Sequence, residues 1–482
     1  MFKKVLIGGT CLCITLLGLW SCKDSFLEFT PTDRISDAAY WKTASDFQAG
    51  VNAAYFALQW DASADSWQAL AGMPAGDVKP TEDANYFTLE SLQYASNNGQ
   101  VNAAWNSCWT IITRANLVLT RIEPVSIPDA DKKKIIGEAK FLRGFAYFLL
   151  ARNFGDVPLI TAEQTAASPT DVPRTPVAQV YDQIVKDLTE AAASLPTKWD
   201  NANVGRATRG SALGYLAYTH MYQKQWPNAA KATEDLVALG TYNLVKDYRK
   251  VFDLANENNE ESVFEVQYRD SQLGWGPSRN GHYFPQKQAP RGIGDDYSPY
   301  GGWGVQIPTK QLVNAFEKGD TRRAACILAP GEKYYGFTMD SLKTPTGYAF
   351  TKYWVGPSKN DHSPLNLPQL RFAEVLLHYA EILNETGKIV EAYAQLNRVR
   401  ARAGLAPKPV GDKVKCMEDI AQEWRVETFA EFNFWYELTR TGRAAAFVQK
   451  EYGRTLAPFR TLFPIPQSEL DLNKALNQNP GY

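Results

Sequence analysis

Aromatic rings set among glycines and prolines are the residues with the clearest chemistry in this chain, and they concentrate between residues 271 and 303. Segments rich in Gly and Pro build little regular core, so we expect some of these rings to be exposed. An exposed flat ring can cover the apolar face of a sugar, while polar groups beside it bond the sugar hydroxyls. The alternative is that the rings only hold a long loop against the rest of the protein. The positions that we predict for sugar contact are Trp275, Arg291, Tyr297 and Trp303.

A second stretch, residues 67 to 98, places rings beside carboxylate and amide groups around a turn region that contains Gly and Pro. This mixture suits the same recognition of sugars. Asp77 has two interpretations, because an aspartate in a turn also bonds nearby backbone N–H groups. The candidate contact residues of this stretch are Trp67, Asp77, Tyr86, Tyr94 and Asn97.

Catalytic patterns are missing from the sequence, which has no G-x-x-x-x-G-K-[ST], no G-x-S-x-G and no H-E-x-x-H. Among the four histidines, only His282 lies in the aromatic segment, where it could contact a ligand. Carboxylates are numerous, so counting alone does not exclude a glycosidase pair. We expect no catalytic residues and no cofactor, although acidic residues at 256–261 and 295–296 leave a bound calcium open.

The composition excludes one class of partner. A net charge of −1 gives no basic surface for nucleic acid. The 45% hydrophobic and 21% charged residues are ordinary for a globular protein, and the length suits one large domain or two closely joined ones. The composition therefore indicates a globular protein and argues against nucleic acid as a partner.

The first residues have the layout of a secretory signal, with two lysines ahead of an apolar run from residue 5 to 20. That run is too short for a spanning helix, which needs about 20 apolar residues. Leu19-Trp20-Ser21-Cys22 resembles a bacterial lipobox, in which a small residue precedes a cysteine that is acylated, and two or more acyl chains anchor a protein stably. We therefore predict a signal peptide over residues 1–21 and a lipid-anchored Cys22 that begins a mature chain of 22–482.

Three cysteines remain in that mature chain beyond Cys22, namely Cys108, Cys326 and Cys416. Their number is odd, their spacing is wide and no C-x-x-C is present. We expect three buried free thiols rather than a disulfide framework, with at most one bridge.

Apolar residues recur at helical spacing over residues 101–123, 130–153 and 176–194. Two further stretches, 211–240 and 370–405, each read as two amphipathic helices about a turn, with small residues at the closest contacts. Pairs of roughly 34 residues with such small residues are typical of tetratricopeptide repeats. The sequence therefore predicts a mainly α fold.

In this fold, tetratricopeptide-like helix pairs within 101–240 and 370–405 form a scaffold. Residues 241–369 are rich in Gly, Pro and aromatics, with short apolar runs such as that at 262–268. We predict a loop-rich insert there, with a few short strands, and long loops of this kind usually carry function. The ligand-binding face is expected on these loops.

Several long stretches together resemble the SusD/RagB family of Bacteroidetes surface lipoproteins. AKFLRGFAYFLLARNFGDVPLI at 139–160 is similar to the family's N-terminal helix and turn, and residues 370–405 are similar to its central helix pair. FPIPQSELDLNKALNQNPGY at 463–482 is close to its closing signature. One departure is Glu431-Phe432-Asn433-Phe434, where the family usually has Glu-Gly followed by Arg. We expect this change to alter helix packing rather than the ligand surface.

The resemblance implies a single SusD-like domain over 22–482, with four helix pairs on one side and a loop-rich ligand face on the other. It also implies a partner, a SusC-like TonB-dependent outer-membrane barrel over which such a lipoprotein sits as a lid. Lys23-Asp24, directly after Cys22, resembles the signal that sends such lipoproteins to the outer face of the outer membrane. The implied function is the capture of oligosaccharide at the cell surface and its delivery to the barrel.

Three alternatives stay open. A RagB-like protein of the same architecture captures peptide, a glycoside hydrolase would cleave the glycan, and a pure scaffold would bind the barrel without a ligand. The sequence does not fix the sugar, its linkage or its length, because these depend on the angles and spacing of a few rings on loops.

Overall fold

A computed structural model places the helices and loops of the chain. The residues that it describes are 40–59, 61–269, 281–294, 296–297, 301–356 and 363–482, without the side chains of 61 and 62.

Helices fill the first half of the described chain, and one short strand interrupts them. Thr43 and Asp46 begin the first helix with a reciprocal capping box, in which each side chain bonds the other residue's backbone N–H. The elements are α1 (Ala44–Leu58), α2 (Asp61–Gly72), β1 (Val78–Pro80), α3 (Ala84–Glu90), α4 (Gly99–Ile122), α5 (Asp129–Phe154), α6 (Val177–Ser194), α7 (Arg209–Tyr222) and α8 (Trp226–Ala238).

Short elements follow, as expected of a segment rich in Gly and Pro. Each strand pairs antiparallel with one other strand: β1 with β3, β2 with β8, β4 with β7, and β5 with β6. The elements are β2 (Ser262–Val266), α9 (Phe284–Gln288), β3 (Gln306–Pro308), α10 (Lys310–Ala315), α11 (Thr321–Cys326), β4 (Ile327–Leu328), β5 (Lys333–Tyr334), β6 (Phe337–Thr338), β7 (Ala349–Phe350) and β8 (Leu367–Arg371).

Helices return in the last part of the chain. The first two form a pair about a turn at Gly387, which adopts a φ of +82° that favours glycine. The elements are α12 (Phe372–Glu385), α13 (Ile389–Arg402), α14 (Lys413–Thr428), α15 (Phe434–Arg440), α16 (Ala444–Tyr452) and α17 (Gln467–Leu472).

The central helix α5 is buried on all sides from Phe141 to Phe154 and packs between its neighbours α4 and α6. A small residue on α7 allows a close contact with strand β8. At Gly214 on α7, an added Cβ would lie 2.5 Å from a Leu370 side-chain carbon, so only glycine fits there without a shift. The mainly α fold with a few short strands agrees with the prediction from helical spacing.

A buried carboxylate, Glu427 of α14, joins three distant segments. It accepts hydrogen bonds from Arg371 Nη1 at 2.8 Å, from Arg322 Nη1 at 2.9 Å and from Arg402 Nη2. Burial alone would raise the pKa of Glu427, but the three guanidinium groups lower it below the ordinary value. These bonds fix α11, β8 and α13 against α14.

The segment 463–482 folds back onto the first half of the chain. Phe463 N–H donates to the Asn153 carbonyl at 2.7 Å, and Asn479 Nδ2 donates to the Phe154 carbonyl at 3.0 Å. The ring of Tyr482 stacks on Tyr94 with a centroid distance of 6.2 Å. The C-terminal segment therefore covers the end of α5.

Two expectations from the sequence agree with this fold. Cys108, Cys326 and Cys416 are free thiols, and all three are buried. The departure at 431–434 lies in the interior, where Phe432 is 1% and Phe434 is 6% exposed. Within the described ranges, no helix combines the length and apolar composition that crossing a membrane would require.

Candidate functional site

The loop that follows α9 brings two predicted contact residues, Arg291 and Trp303, side by side. Its two arms are joined by hydrogen bonds from Gly292 N–H to the Gly302 carbonyl at 3.1 Å and from Gly304 N–H to the Ala289 carbonyl at 2.9 Å. Gly302 is required here, because an added Cβ would lie 1.8 Å from the Pro290 carbonyl oxygen. Arg291 Nε donates to the Trp303 carbonyl at 3.1 Å. We call this unit the 289–304 loop.

Trp303 is half-buried, and one side of its ring is covered by Tyr283. The two rings stack with a centroid distance of 5.4 Å and an interplanar angle of 30°. The backbone N–H of Trp303 donates to the backbone carbonyl of Gln286 at 2.6 Å, which fixes the backbone under the ring. A ring held in this way presents its remaining surface in one orientation, as a stacking platform requires.

The segment after β1 borders the same loop. Thr81 N–H donates to the Val305 carbonyl at 3.0 Å, and Thr81 Oγ1 donates to the Gly304 carbonyl at 2.6 Å. These bonds continue the β1–β3 pairing and bring exposed Glu82 into an ion pair with exposed Arg291. Both charged side chains are about half exposed, so a ligand hydroxyl can compete for their hydrogen bonds at little cost.

A buried polar cluster lies under this surface. Tyr86 is 3% exposed, and its hydroxyl donates to Asp65 Oδ2 at 2.5 Å. Lys287 Nζ pairs with Asp65 and also donates to the Tyr86 hydroxyl at 3.0 Å. Burial, reinforced by the Asp65 charge, raises the pKa of Tyr86 well above its ordinary value. Tyr86 therefore supports α9 from below and does not itself face a ligand, which corrects the prediction from the sequence.

Tyr297, the third predicted residue described in this loop, joins a separate aromatic cluster. Its ring lies 5.6 Å from Phe337, and its carbonyl accepts a hydrogen bond from Trp354 Nε1 at 2.7 Å. Tyr334 packs on Trp354 at 5.1 Å and on Tyr335 at 4.7 Å. Tyr297 is half-buried, so it has one face toward this cluster and part of its surface exposed.

Tyr335 was not predicted from the sequence, and it is 52% exposed. It occupies the two-residue turn between β5 and β6 with a φ of +46°, followed by Gly336 with a φ of +86°. Left-handed backbone at both turn positions suits a tight hairpin, but it is unusual for a tyrosine. The Tyr-Tyr-Gly sequence at 334–336 is the signal that could have identified this exposed ring.

Two further predicted residues of the 67–98 stretch, Trp67 and Tyr94, lie in the interior. Trp67 is 2% exposed and packs edge-on against Phe145, because α2 turns it into the helical core. Tyr94 is 1% exposed and donates to the Arg460 carbonyl at 2.7 Å. These side chains are occupied by contacts within the protein, so we do not retain them as ligand contacts.

Asp77 is 2% exposed and is paired inside the protein. Arg425 Nη2 donates to Asp77 Oδ1 at 2.7 Å, and the Tyr452 hydroxyl donates to the same oxygen at 2.6 Å. Asp77 thus joins β1 to α14 and α16, and its role is structural. Asn97, in contrast, is exposed in the turn before α4.

Some predicted positions fall outside the described residues, namely Cys22, Trp275 and Asp295. His282 is described but is 1% exposed, with Nε2 placed 2.8 Å from the Leu365 carbonyl, so it is not a surface contact. Within the described ranges, no three His, Cys, Asp or Glu side chains converge as a metal site, and Glu261 of the acidic stretch 256–261 pairs with Arg371 and Arg402.

Two family models match the chain, and together they extend over most of it. The model described as "SusD family" matches residues 260–482, and the one described as "Starch-binding associating with outer membrane" matches residues 26–221.

Individual proteins agree with these models. The SusD-like protein P2 of Formosa agariphila is 28% identical over 527 residues, which cover 100% of both chains. The crystal structure of a SusD-like protein from Bacteroides fragilis is 25% identical with a TM-score of 0.82, over 94% of this chain and 100% of that one. A laminarin binding SusD-like protein is 27% identical with a TM-score of 0.78, over 92% and 100% of the two chains.

Where these descriptions name an activity, it is binding, of starch or of laminarin, and not catalysis. This agrees with the expectation of a binding protein without catalytic residues. The order of the helices, the loop-rich insert and the two matching models lead to one conclusion: the chain belongs to the SusD family.

Proposed function

We propose that this protein captures an oligosaccharide on the 289–304 loop and neighbouring loops and delivers it to a SusC-like TonB-dependent barrel in the outer membrane. The observation that carries the proposal is the arrangement of Trp303 and Arg291. A half-buried ring, backed by Tyr283, stands beside an exposed guanidinium and the Glu82 carboxylate. Such a ring with donors and acceptors at its edge matches the two kinds of surface on a sugar.

The location follows from the predicted lipid anchor at Cys22, which would hold the mature chain on the outer face of the outer membrane. The family description "Starch-binding associating with outer membrane" supports this location. In this arrangement the helix pairs contact the barrel, and the loop face holds the ligand between the two proteins. Trp275 remains a proposed contact, as do Tyr297 and Asn97.

The test is a ligand screen followed by one substitution. Purified protein is run in native gels that contain laminarin, starch or other polysaccharides, and a peptide mixture is tested in parallel. For a retained glycan, calorimetry then measures the affinity of an oligosaccharide for Trp303→Ala. Loss of a stacked ring should remove about 2 kcal/mol of binding free energy, or about thirtyfold in Kd. The double variant with Trp275→Ala should lose more.

Trp226→Ala is the matched control, because Trp226 is also half-buried but begins helix α8 of a helix pair. Its affinity should equal that of the wild type. Unchanged affinity in Trp303→Ala would remove the 289–304 loop from the binding site. Binding of peptides and not of glycans would replace the proposal with the RagB-like alternative.

A further inference from the structure

Two clefts outside the 289–304 loop open on either side of the segment Asp200–Arg206. Their volumes are about 300 Å³ and about 390 Å³, and both are lined by Val204, Gly205, Arg206 and Glu265. We call them the Val204 clefts. Their size falls in the range of small-molecule sites, and no residue that lines them belongs to the site described above.

Three of the aromatic rings that line these clefts are fixed by their polar edges to residues 207–208. Trp199 Nε1 donates to the Ala207 carbonyl at 2.8 Å, and the Tyr55 hydroxyl accepts from the Ala207 N–H at 2.9 Å. The Tyr242 hydroxyl lies 2.9 Å from Thr208 Oγ1. These bonds hold the rings in place beside the clefts, where Tyr242 also stacks on Phe372 at 6.3 Å and the Arg206 guanidinium lies 6.0 Å from the Tyr55 ring centre. Rings that are already ordered lose little entropy when a ligand stacks on them.

Amide side chains supply a further part of the lining. Gln267 and Asn258 exchange hydrogen bonds at 2.9 Å and 3.0 Å, and Gln59 Nε2 donates to the Gln267 carbonyl at 2.5 Å. Each amide carries donors and acceptors together, as a sugar hydroxyl does. The amides that line the two clefts include Asn52, Gln59, Asn201, Asn203, Asn258 and Gln267.

Two of the four charged groups that line the clefts, Arg206 and Glu265, are occupied within the protein, and the other two, exposed Lys198 and Glu260, are of opposite sign. Arg206 Nη1 pairs with Glu138 at 3.0 Å, and Glu138 is fully buried. Glu265 is 4% exposed and accepts hydrogen bonds from Asn258 N–H at 2.7 Å and from Asn366 Nδ2 at 2.9 Å. Burial raises the pKa of Glu265. A charged ligand would therefore gain little here, whereas a neutral ligand with hydroxyl groups would find amide partners.

Val204 stands between the clefts with 55% of its surface exposed. An exposed apolar side chain at this position can contact the C–H face of a sugar that rests between the clefts. From the fixed rings, the amides, the paired charges and Val204, we propose that the Val204 clefts are a second saccharide site, which takes one or two units of a neutral glycan. This inference rests on the proposed function, because it requires that the protein bind glycan.

The experiment compares three variants in native gels that contain laminarin or starch: Val204→Arg, Trp303→Ala and the double variant. Val204→Arg should fill the clefts without disturbing the fold, because the side chain is exposed; circular dichroism and the urea midpoint check this. Two sites on one protein reinforce binding to a long polymer, so Val204→Arg should weaken retention at least tenfold. Trp303→Ala should keep residual retention that the double variant loses.

The outcomes separate the two proposals. If Val204→Arg is retained like the wild type and Trp303→Ala abolishes retention, the second site is wrong and the proposed function stands. If Val204→Arg loses retention and Trp303→Ala does not, the Val204 clefts bind glycan and the 289–304 loop does not. If neither polymer retains the wild type, both proposals fail. If Val204→Arg instead weakens binding of an acidic glycan or a peptide, a neutral saccharide is the wrong ligand for these clefts.

Discussion

Replacing Asp77 by asparagine distinguishes a structural role from a ligand contact at a residue for which the sequence allowed both. The Asp77 and Arg425 side chains are 4% exposed each, and they share hydrogen bonds of 2.7 Å and 3.1 Å. Burial lowers the pKa of Arg425, but the Asp77 charge more than offsets this, so the pKa is raised overall. Removing one partner of a buried ion pair costs about 3 to 5 kcal/mol. Arg425 keeps Glu451 at 2.8 Å, so we expect about 3 kcal/mol, or roughly 150-fold in the ratio of folded to unfolded protein.

Urea unfolding followed by tryptophan fluorescence measures this loss as a lower midpoint at an unchanged slope. Glu451→Gln is the matched control: Glu451 contacts the same arginine but is 20% exposed, so its loss should cost less than about 1 kcal/mol. Below the unfolding transition, Asp77→Asn should bind glycan with wild-type affinity. A variant with an unchanged midpoint and lost affinity would refute the structural role and restore Asp77 as a ligand contact.

Two further predictions concern pH dependence and a strained turn. Burial, with repulsion from Glu265, raises the pKa of Glu257 from 4.5 to about 7. Between these two pH values the folded state holds a proton that the unfolded state has lost, so the free energy of unfolding falls as the pH rises through this range. Glu257→Gln should remove that part of the slope, and urea midpoints at pH 5 and pH 8 that change as in the wild type would contradict it. Tyr335→Asn should raise the free energy of unfolding by up to about 1 kcal/mol, because asparagine tolerates the φ of +46° better, while glycan affinity falls. Denaturation and calorimetry on one preparation test both effects, and unchanged affinity would exclude Tyr335 from the ligand face.

The long helices could be predicted because their signal is local. Apolar side chains at a period of 3.6 residues indicated α4, α5 and the α12–α13 pair, and the observed ends lie within a few residues of those expected. Gly214, one of the small residues in the 211–240 stretch, has its tightest contact with Leu370 of strand β8 and not within the helix pair.

Partners distant in sequence could not be predicted in the same way. Asp77 and Arg425 are 348 positions apart, and nothing near either residue identifies the other. Trp67 and Tyr86 lie on helices α2 and α3, where Gly and Pro in the intervening turn obscured the period and suggested an exposed surface.

The 289–304 loop shows what the amino-acid composition of a segment can predict about exposed rings and what it cannot. Arg291 and Trp303 lie at the surface together, as expected for aromatic and charged residues among glycines. Other rings of the loop-rich insert form a small separate core with Ile293, Met339 and Trp354, which composition alone does not indicate. Whether a ring is exposed depends on which loops meet, and this is fixed only by pairings such as β1 with β3.

The C-terminal segment 463–482 sets an order on the maturation of the protein. During synthesis, helix α5 emerges some 300 residues before Asn479, whose side chain bonds the Phe154 carbonyl at the end of that helix. Until then the Tyr94 ring lacks Phe463 and Tyr482, the rings that cover it in the folded protein. The first half of the chain therefore completes its packing only after the last residues of the chain are present.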